Sequence, residues 1–432
     1  MQLNSRRARI KEHVANRNTS ETIMYNSPSL QSLPVEIFYR ILDHIDGETI
    51  LLSFRKVCKK FKAITNTYNR YELDFSSMSK TDFDFACRAI RPEDVISLTL
   101  SNGDHTPDQI NQFFSLFTID RLIRLRSLTL LHVYNKNTDE LQTILNQILT
   151  VCPLTSFSIQ SKYGDKMQLQ PLLSSIITQS TLRRLDFGIY YFKIDKIPWP
   201  ANCLLEYLKI GTCTFQQFCA ILDHSPNLRT LALRNCSEIH VGLPIIKTYP
   251  QLTSLTFDDL RGYIYMYVLE PILSRTPSLI HLKIVSIDDG CSLSDGAQWE
   301  KFIQTKLLYL KKFEFFFGRL PGYFDDSPEM KSLVSFQTSF WRETQRMIVA
   351  YAHLKHIRRI VVCSLPVCLT SFSYHYHYQG KPTDDPKTMT STDDGQWMYS
   401  TKPNKVCLGL TSCFDRHRFR CRMTPFNICL TI

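Results

Sequence analysis

Glycine is scarce, at 14 in 432 residues, and no two glycines stand one residue apart. The dinucleotide fingerprint G-x-G-x-x-G is therefore excluded. A P-loop, an H-E-x-x-H helix and a G-x-S-x-G elbow are also absent. No enzyme activity, cofactor or metal is expected on these grounds. No stretch approaches the ~18 consecutive apolar residues of a membrane span. The charges near the N-terminus are not followed by the apolar core of a secretory signal. The 14 cysteines are then expected to be reduced, in a cytoplasmic or nuclear setting. Net charge is +11, modest over this length, and long basic runs are missing beyond Arg6-Arg7-Ala8-Arg9-Ile10-Lys11. Such a head suits nuclear import or a nucleic-acid contact, but is more often a solvated, disordered tail, the expectation here for residues 1–28.

Apolar material, by contrast, is plentiful: 44% of residues are hydrophobic and 12% aromatic, enough for a large core. Residues 33–64 concentrate it at helical spacing. Ile37, Phe38, Ile41, Leu42 and Ile45 form one broad stripe. Pro34 suits the first turn of that helix, Ser32 is a candidate N-cap, and Asp46-Gly47 is expected to stop it. Ile50, Leu51, Phe54, Val57, Cys58, Phe61 and Ile64 continue at helical spacing, with Lys56, Lys59, Lys60 and Lys62 between them. A module of roughly 40 residues seldom buries such a stripe alone. Part of it is expected to dock on another surface.

The run LPVEIFYRILDHI, followed by FRKVCKKFKAI, resembles an F-box. The resemblance covers about residues 29–68, and the F-box is assigned to residues 29–70 as a three-helix module. It implies docking to the Skp-type adaptor of a cullin-based ubiquitin ligase. The residues implied in that contact are Leu33, Pro34, Ile37, Ile41 and Ile45 from the front half, and Val57, Cys58 and Phe61 from the back half. Which of these meet the adaptor and which fill the module's own core stays open at this point.

Beyond a connector expected at 71–93, the pattern apolar-x-x-apolar-x-apolar recurs. It begins as Val95/Leu98/Leu100 and runs to Leu310/Phe313/Phe315, with copies 23 to 31 residues apart. A tenth copy is expected at Ile357/Ile360/Val362. The last two apolar residues of each copy share one face of a short strand. Helix-like runs such as Leu141–Val151 lie between copies, and proline often closes them, as at Pro153, Pro226, Pro250 and Pro277. One unit cannot bury its own apolar edge, whereas stacked units share a continuous core. Cys213 and Cys236, each three residues past a strand's apolar pair, occupy the Asn-or-Cys position of a leucine-rich repeat and are expected as buried fillers. Residues 94–365 thus resemble a degenerate leucine-rich-repeat solenoid. The fold class expected is an α/β solenoid: the F-box, then a curved array with a short-strand parallel sheet and outer helices.

On such a curve, the strand residues flanking the inward pair face the concave side. Thr129, Asp186, Lys209, Arg234, Asp258, Lys283 and Glu314 are the candidate target-binding residues, with Ala232, Val285 and Phe316 beside them. Their mixed charge favours a protein partner over nucleic acid. Cys363, Cys368, His375 and His377 are the one arrangement suggestive of a zinc site, but their spacing is unlike the usual ligand pairs, and no metal is expected there. Residues 366–432 receive no structural assignment. The function expected is substrate recognition in an SCF-type ubiquitin ligase, the chain itself making no bond. Alternatives are a non-catalytic binding scaffold outside ubiquitin transfer, or nucleic-acid binding through the basic termini.

Overall fold

The computed structural model of the protein describes residues 30–103, 105–133, 138–161, 170–189, 199–201, 203–237, 247–260, 265–286, 293–319, 334–354 and 359–365, with short strands at 397–400, 406–407 and 429–430. The expectations for residues 1–28, and for most of 366–432, lie outside the described residues.

Three short helices come first: α1 (Val35–Leu42), α2 (Gly47–Leu52) and α3 (Lys59–Thr67). Two local expectations are corrected. Pro34, not Ser32, is the N-cap of α1; its backbone is extended, and Ser32 belongs to a preceding 3-10 turn. A proline ring disfavours helical backbone in the residue before it, so Leu33 cannot extend the helix backwards. Asp46-Gly47 opens α2 instead of closing α1: the Thr49 N–H donates to Asp46 Oδ1 at 2.7 Å. Phe38 of α1 lies at the centre, 5.1 Å from the Phe61 ring, which stacks on Phe54 at 4.4 Å. These aromatic contacts join the front and back halves of the module.

Residues 71–93 are not a connector but the first unit of the array. Strand β1 (Tyr71–Asp74) pairs in parallel with β2 (Val95–Ser101), and α4 (Lys80–Ala89) crosses between them. Tyr71, Leu73 and Phe75 alternate with polar residues, so they make a strand without the leucine pattern. The helical module seats directly on this unit. Tyr71 Oη donates to the Thr65 carbonyl at 2.7 Å, and Arg55 Nη1 to the Ala89 carbonyl at 2.7 Å. Gly47 permits the closest approach: a Cβ there would overlap the Glu72 carbonyl oxygen and lie 2.7 Å from Leu73 Cδ2. Because the obstacle includes backbone, Gly47→Ala is expected to cost about 1–3 kcal/mol. Calorimetry of the full chain should show a lower Tm. An unchanged Tm would mean that the module and the array part freely.

The array continues through β3 (Ser127–Leu131), β4 (Ser156–Ser161), β5 (Arg184–Ile189), β6 (Tyr207–Thr214), β7 (Thr230–Ser237), β8 (Ser254–Leu260), β9 (His281–Ser286) and β10 (Lys312–Arg319). Strands β1 to β10 pair in chain order, each parallel to the next. Helices lie between many of them: α5 (Gln109–Leu116), α6 (Thr138–Val151), α7 (Gln170–Ile177), α8 (Phe215–His224), α9 (Met266–Leu273) and α10 (Gly296–Lys306). The sequence repeat and the pairing register coincide. Leu98, Leu128, Phe157, Leu185, Leu208, Leu231, Leu255, Leu282 and Phe313 are consecutive partners, and all are buried. Strands β6 and β7 run on far enough to pair Cys213 with Cys236, and both are buried.

The parallel order ends at β10. Strand β11 (Ile348–Leu354) and β12 (Arg359–Leu365) are antiparallel, and β12 pairs antiparallel with β10. Ile360 and Val362, expected as a tenth repeat, therefore belong to a different arrangement. A parallel neighbour needs a crossover of a dozen or more residues, and only 355–358 separate β11 from β12. Of the weighed zinc ligands, Cys363 is buried in β12. The other three lie outside the described residues.

Candidate adaptor ledge and exposed sheet face

The adaptor candidates divide between surface and core. Ile37 is 38% exposed and Val57 63%, while Pro34 is exposed and Leu33 and Ile41 are half-buried. Ile45 and Cys58 are half-buried and pack against the core. Cys58 also caps α3, its sulfur accepting from the Phe61 N–H at 3.5 Å. Phe61 is buried at 4% exposure between Phe38 and Phe54. It holds the module together and is not free to meet a partner. Two apolar residues that sequence reading passed over, Leu30 and Val35, are exposed near Ile37 in the chain. The Lys60 ammonium bonds the Gln31 and Leu33 carbonyls, the second at 3.2 Å. That tie brings the segment before α1 beside the start of α3, where Val57 stands. Apolar side chains from both halves thus crown one small module, where burying them against a partner would be favourable.

The second candidate surface is the face of the sheet opposite its buried leucines. Thr129, Asp186, Lys209, Lys283 and Glu314 occupy one register row, with Thr99, Ser158, Ala232 and Thr256 between them. Arg234 and Asp258 lie nearer the strand ends, and all seven candidates are half-buried. Ala232, Val285 and Phe316, expected to share this exposure, are buried instead. A neighbouring row holds Ser127, Ser156, Arg184, Tyr207, Ser254, His281 and Lys312. Sequence reading missed this row because it considered only positions after the strand's first apolar pair member. It also missed Asp259. A register irregularity between Phe257 and Leu260 lets two successive carboxylates reach cations.

From β5 to β10 most charges on this face are paired. Lys209 holds Asp186 at 3.2 Å, Arg234 holds Asp259 at 3.2 Å and Lys283 holds Asp258 at 3.2 Å. Glu314 is met by His281 Nε2 at 2.5 Å and by Lys312 Nζ at 2.9 Å. Arg184 stacks on the Tyr207 ring at 3.7 Å. The β2–β4 side of the face carries hydroxyls, β1 adds Glu72 and Asp74 beside them, and the β5–β10 side carries paired ions. Burial holds the Asp186 carboxyl above its usual range, against the pull of Lys209. At Glu314 burial also pushes upward, but the bonds from Lys312 and His281 outweigh it and leave the carboxyl below its usual range. A depressed carboxyl adds stability above the unfolded value, about 4.3 for glutamate, and loses it as pH falls through the folded value. Glu314→Gln is therefore expected to lower Tm at pH 6, with the gap from wild type closing as pH falls below about 4. A gap constant with pH would argue against this ion cluster.

Comparison with known proteins identifies one part of the chain. The F-box domain family model matches residues 30–73. The chain carries an F-box domain, and the parallel array of strands follows it. No curated protein matches the sequence. Among solved structures, InlP of Listeria monocytogenes is similar with 12% identity and a TM-score of 0.27, over 72% of this chain and 83% of that chain. Among the described residues, no helix is long and apolar enough to cross a membrane.

Proposed function

We propose that this chain is a substrate-recognition subunit of an SCF-type ubiquitin ligase, its F-box binding a Skp-type adaptor and its array holding a target protein. The observation that carries this reading is the exposed apolar ledge of Pro34, Val35, Ile37 and Val57, with half-buried Leu33 beside it, on a domain matched as an F-box. No bond-making step is assigned to the chain. It acts by proximity, holding the target near the ubiquitin-charged enzyme and raising effective concentration. The sheet face supports the second half of the reading. Its hydroxyls and self-paired ions resemble the mixed polarity of protein interfaces. The shared core adds a geometric consequence, since a module seated on β1 through Gly47 presents adaptor and target at one fixed separation.

The test is co-purification. Full-length chain should retain the adaptor and, through it, a cullin. Leu33→Ala/Pro34→Ala should lose both and keep the target. Substitutions are preferable to removing residues 1–70, which would strip α2 from Leu73 and Gly47's contact from β1. Adaptor retained by the double variant would count heavily against the proposal. Adaptor bound without cullin would redirect it to a scaffold outside ubiquitin transfer.

A further inference from the structure

Charges that cancel on the sheet face do not cancel at the strand-start edge. From β3 to β10, the residue just before each strand occupies one register position. From β4 to β10 its amide and the next one both donate to the same carbonyl in the preceding unit. Thr155 and Ser156 donate to Arg126 at 2.8 and 3.0 Å, Arg183 and Arg184 to Thr155 at 2.9 and 3.0 Å, and Lys311 and Lys312 to Ile280 at 2.9 and 3.0 Å. The backbone thereby aligns one side chain per unit into a row. Arg126, Arg183, Arg229 and Lys311 belong to it. Glu206 is the one acid of the row, and it reaches Arg183 only at 4.0 Å. Arg126, Arg229 and Lys311 are exposed, and among the described residues none forms an ion pair.

The row has a measurable spacing. Adjacent strands lie about 4.8 Å apart, so Arg126 to Arg183 and Arg183 to Arg229 each span about 10 Å, and Arg229 to Lys311 about 14 Å. An extended chain rises about 3.3 Å per residue, so acidic groups three, three and four residues apart would meet the cations in turn. Guanidinium forks suit carboxylates bidentately. The row is sparse for nucleic acid, and the uncharged positions between its cations are threonine and isoleucine, with no aromatic platform for bases.

We propose that the strand-start edge binds an extended, carboxylate-rich segment of the target polypeptide, its acidic residues recurring about every third position. The proposal rests on the array being the target-holding part of the chain. It adds where an acidic segment lies and in what spacing.

Selection of random displayed peptides on the full-length chain tests it. Enriched sequences should carry Asp or Glu at i, i+3 and i+6. A fluorescein-labelled consensus peptide should bind about tenfold or more weakly to an Arg126→Glu/Arg229→Glu/Lys311→Glu variant, and weaken with salt. Lys301→Glu, a reversal on the exposed side of α10, should leave binding unchanged. Should the triple variant misfold, Arg229→Glu alone should still weaken binding. Neutral peptides, no enriched peptides, or acidic ones bound equally by the reversed variants would overturn the proposal. Adaptor co-purification would then still test the receptor reading by itself. A single-stranded oligonucleotide of equal charge that binds more tightly, and is lost in the same variants, would overturn it in favour of nucleic acid.

Discussion

Ile37→Glu combined with Val57→Glu is expected to weaken adaptor binding by at least about a hundredfold, with far-UV circular dichroism and Tm unchanged. The magnitude follows from what each residue does. Apolar anchors at the centre of an interface typically cost about 2 kcal/mol or more when lost, and about 2.7 kcal/mol is a hundredfold. A glutamate in their place adds the cost of desolvating a charge with no partner. Folding should be spared, because Ile37 is 38% and Val57 63% exposed and neither belongs to the packed centre. Phe61→Ala supplies the contrast. Phe61 is stacked on Phe54 and buried, so its loss should lower Tm by removing about 3–5 kcal/mol of stability, and adaptor binding should fall with it. A double variant that still pulls down adaptor at wild-type levels would remove the ledge from the mechanism.

Those two responses separate residues that sequence alone left together. Helical spacing placed Ile37, Val57 and Phe61 on apolar stripes, and a stripe wider than one contact has both an inner and an outer part. Only the packing of Phe38 against Phe54 and Phe61 decides which is which. The array was more legible, because its buried pair recurs at strand period two and each copy aligns with the last. Tyr71 and Leu73 escaped notice since the first strand leans on the F-box instead of a preceding repeat, and so carries no leucine pattern. The tenth copy misled for the opposite reason. Ile360 and Val362 have the right spacing, but the short connection makes β12 antiparallel to β11, and it is β12 that sits beside β10, neither of which the pattern encodes. Ion pairs such as Arg234 with Asp259 cross from one unit to the next and depend on a register irregularity that no local motif announces.

Trp299→Ala is expected to be the most damaging single substitution in the array, costing about 3–5 kcal/mol. Trp299 lies fully buried on α10, with its indole N–H donating to the Leu293 carbonyl at 2.8 Å. Its ring is 4.8 Å from Phe313 and stacks on Phe317 at 6.3 Å. Truncation would leave a cavity and remove the indole's hydrogen bond. The position matters as much as the size. Phe313 and Phe317 are on β10, where parallel pairing ends and β12 joins in antiparallel. One turn earlier on α10, Gly296 comes so close to Ser335 and Phe336 that a Cβ there would lie 2.7 and 2.8 Å from their atoms. The tryptophan therefore pins the last repeat to the segment that closes it. In a stacked array each unit leans mainly on its neighbours, so damage stays near its source. Hydrogen exchange in Trp299→Ala should accelerate in β9 to β12 while β2 to β4 and the F-box keep their protection. Adaptor binding at the far end should persist. A loss of protection spread evenly from β1 to β12 would show that the chain unfolds as one cooperative block, and that the F-box and the last repeat are coupled across the whole array.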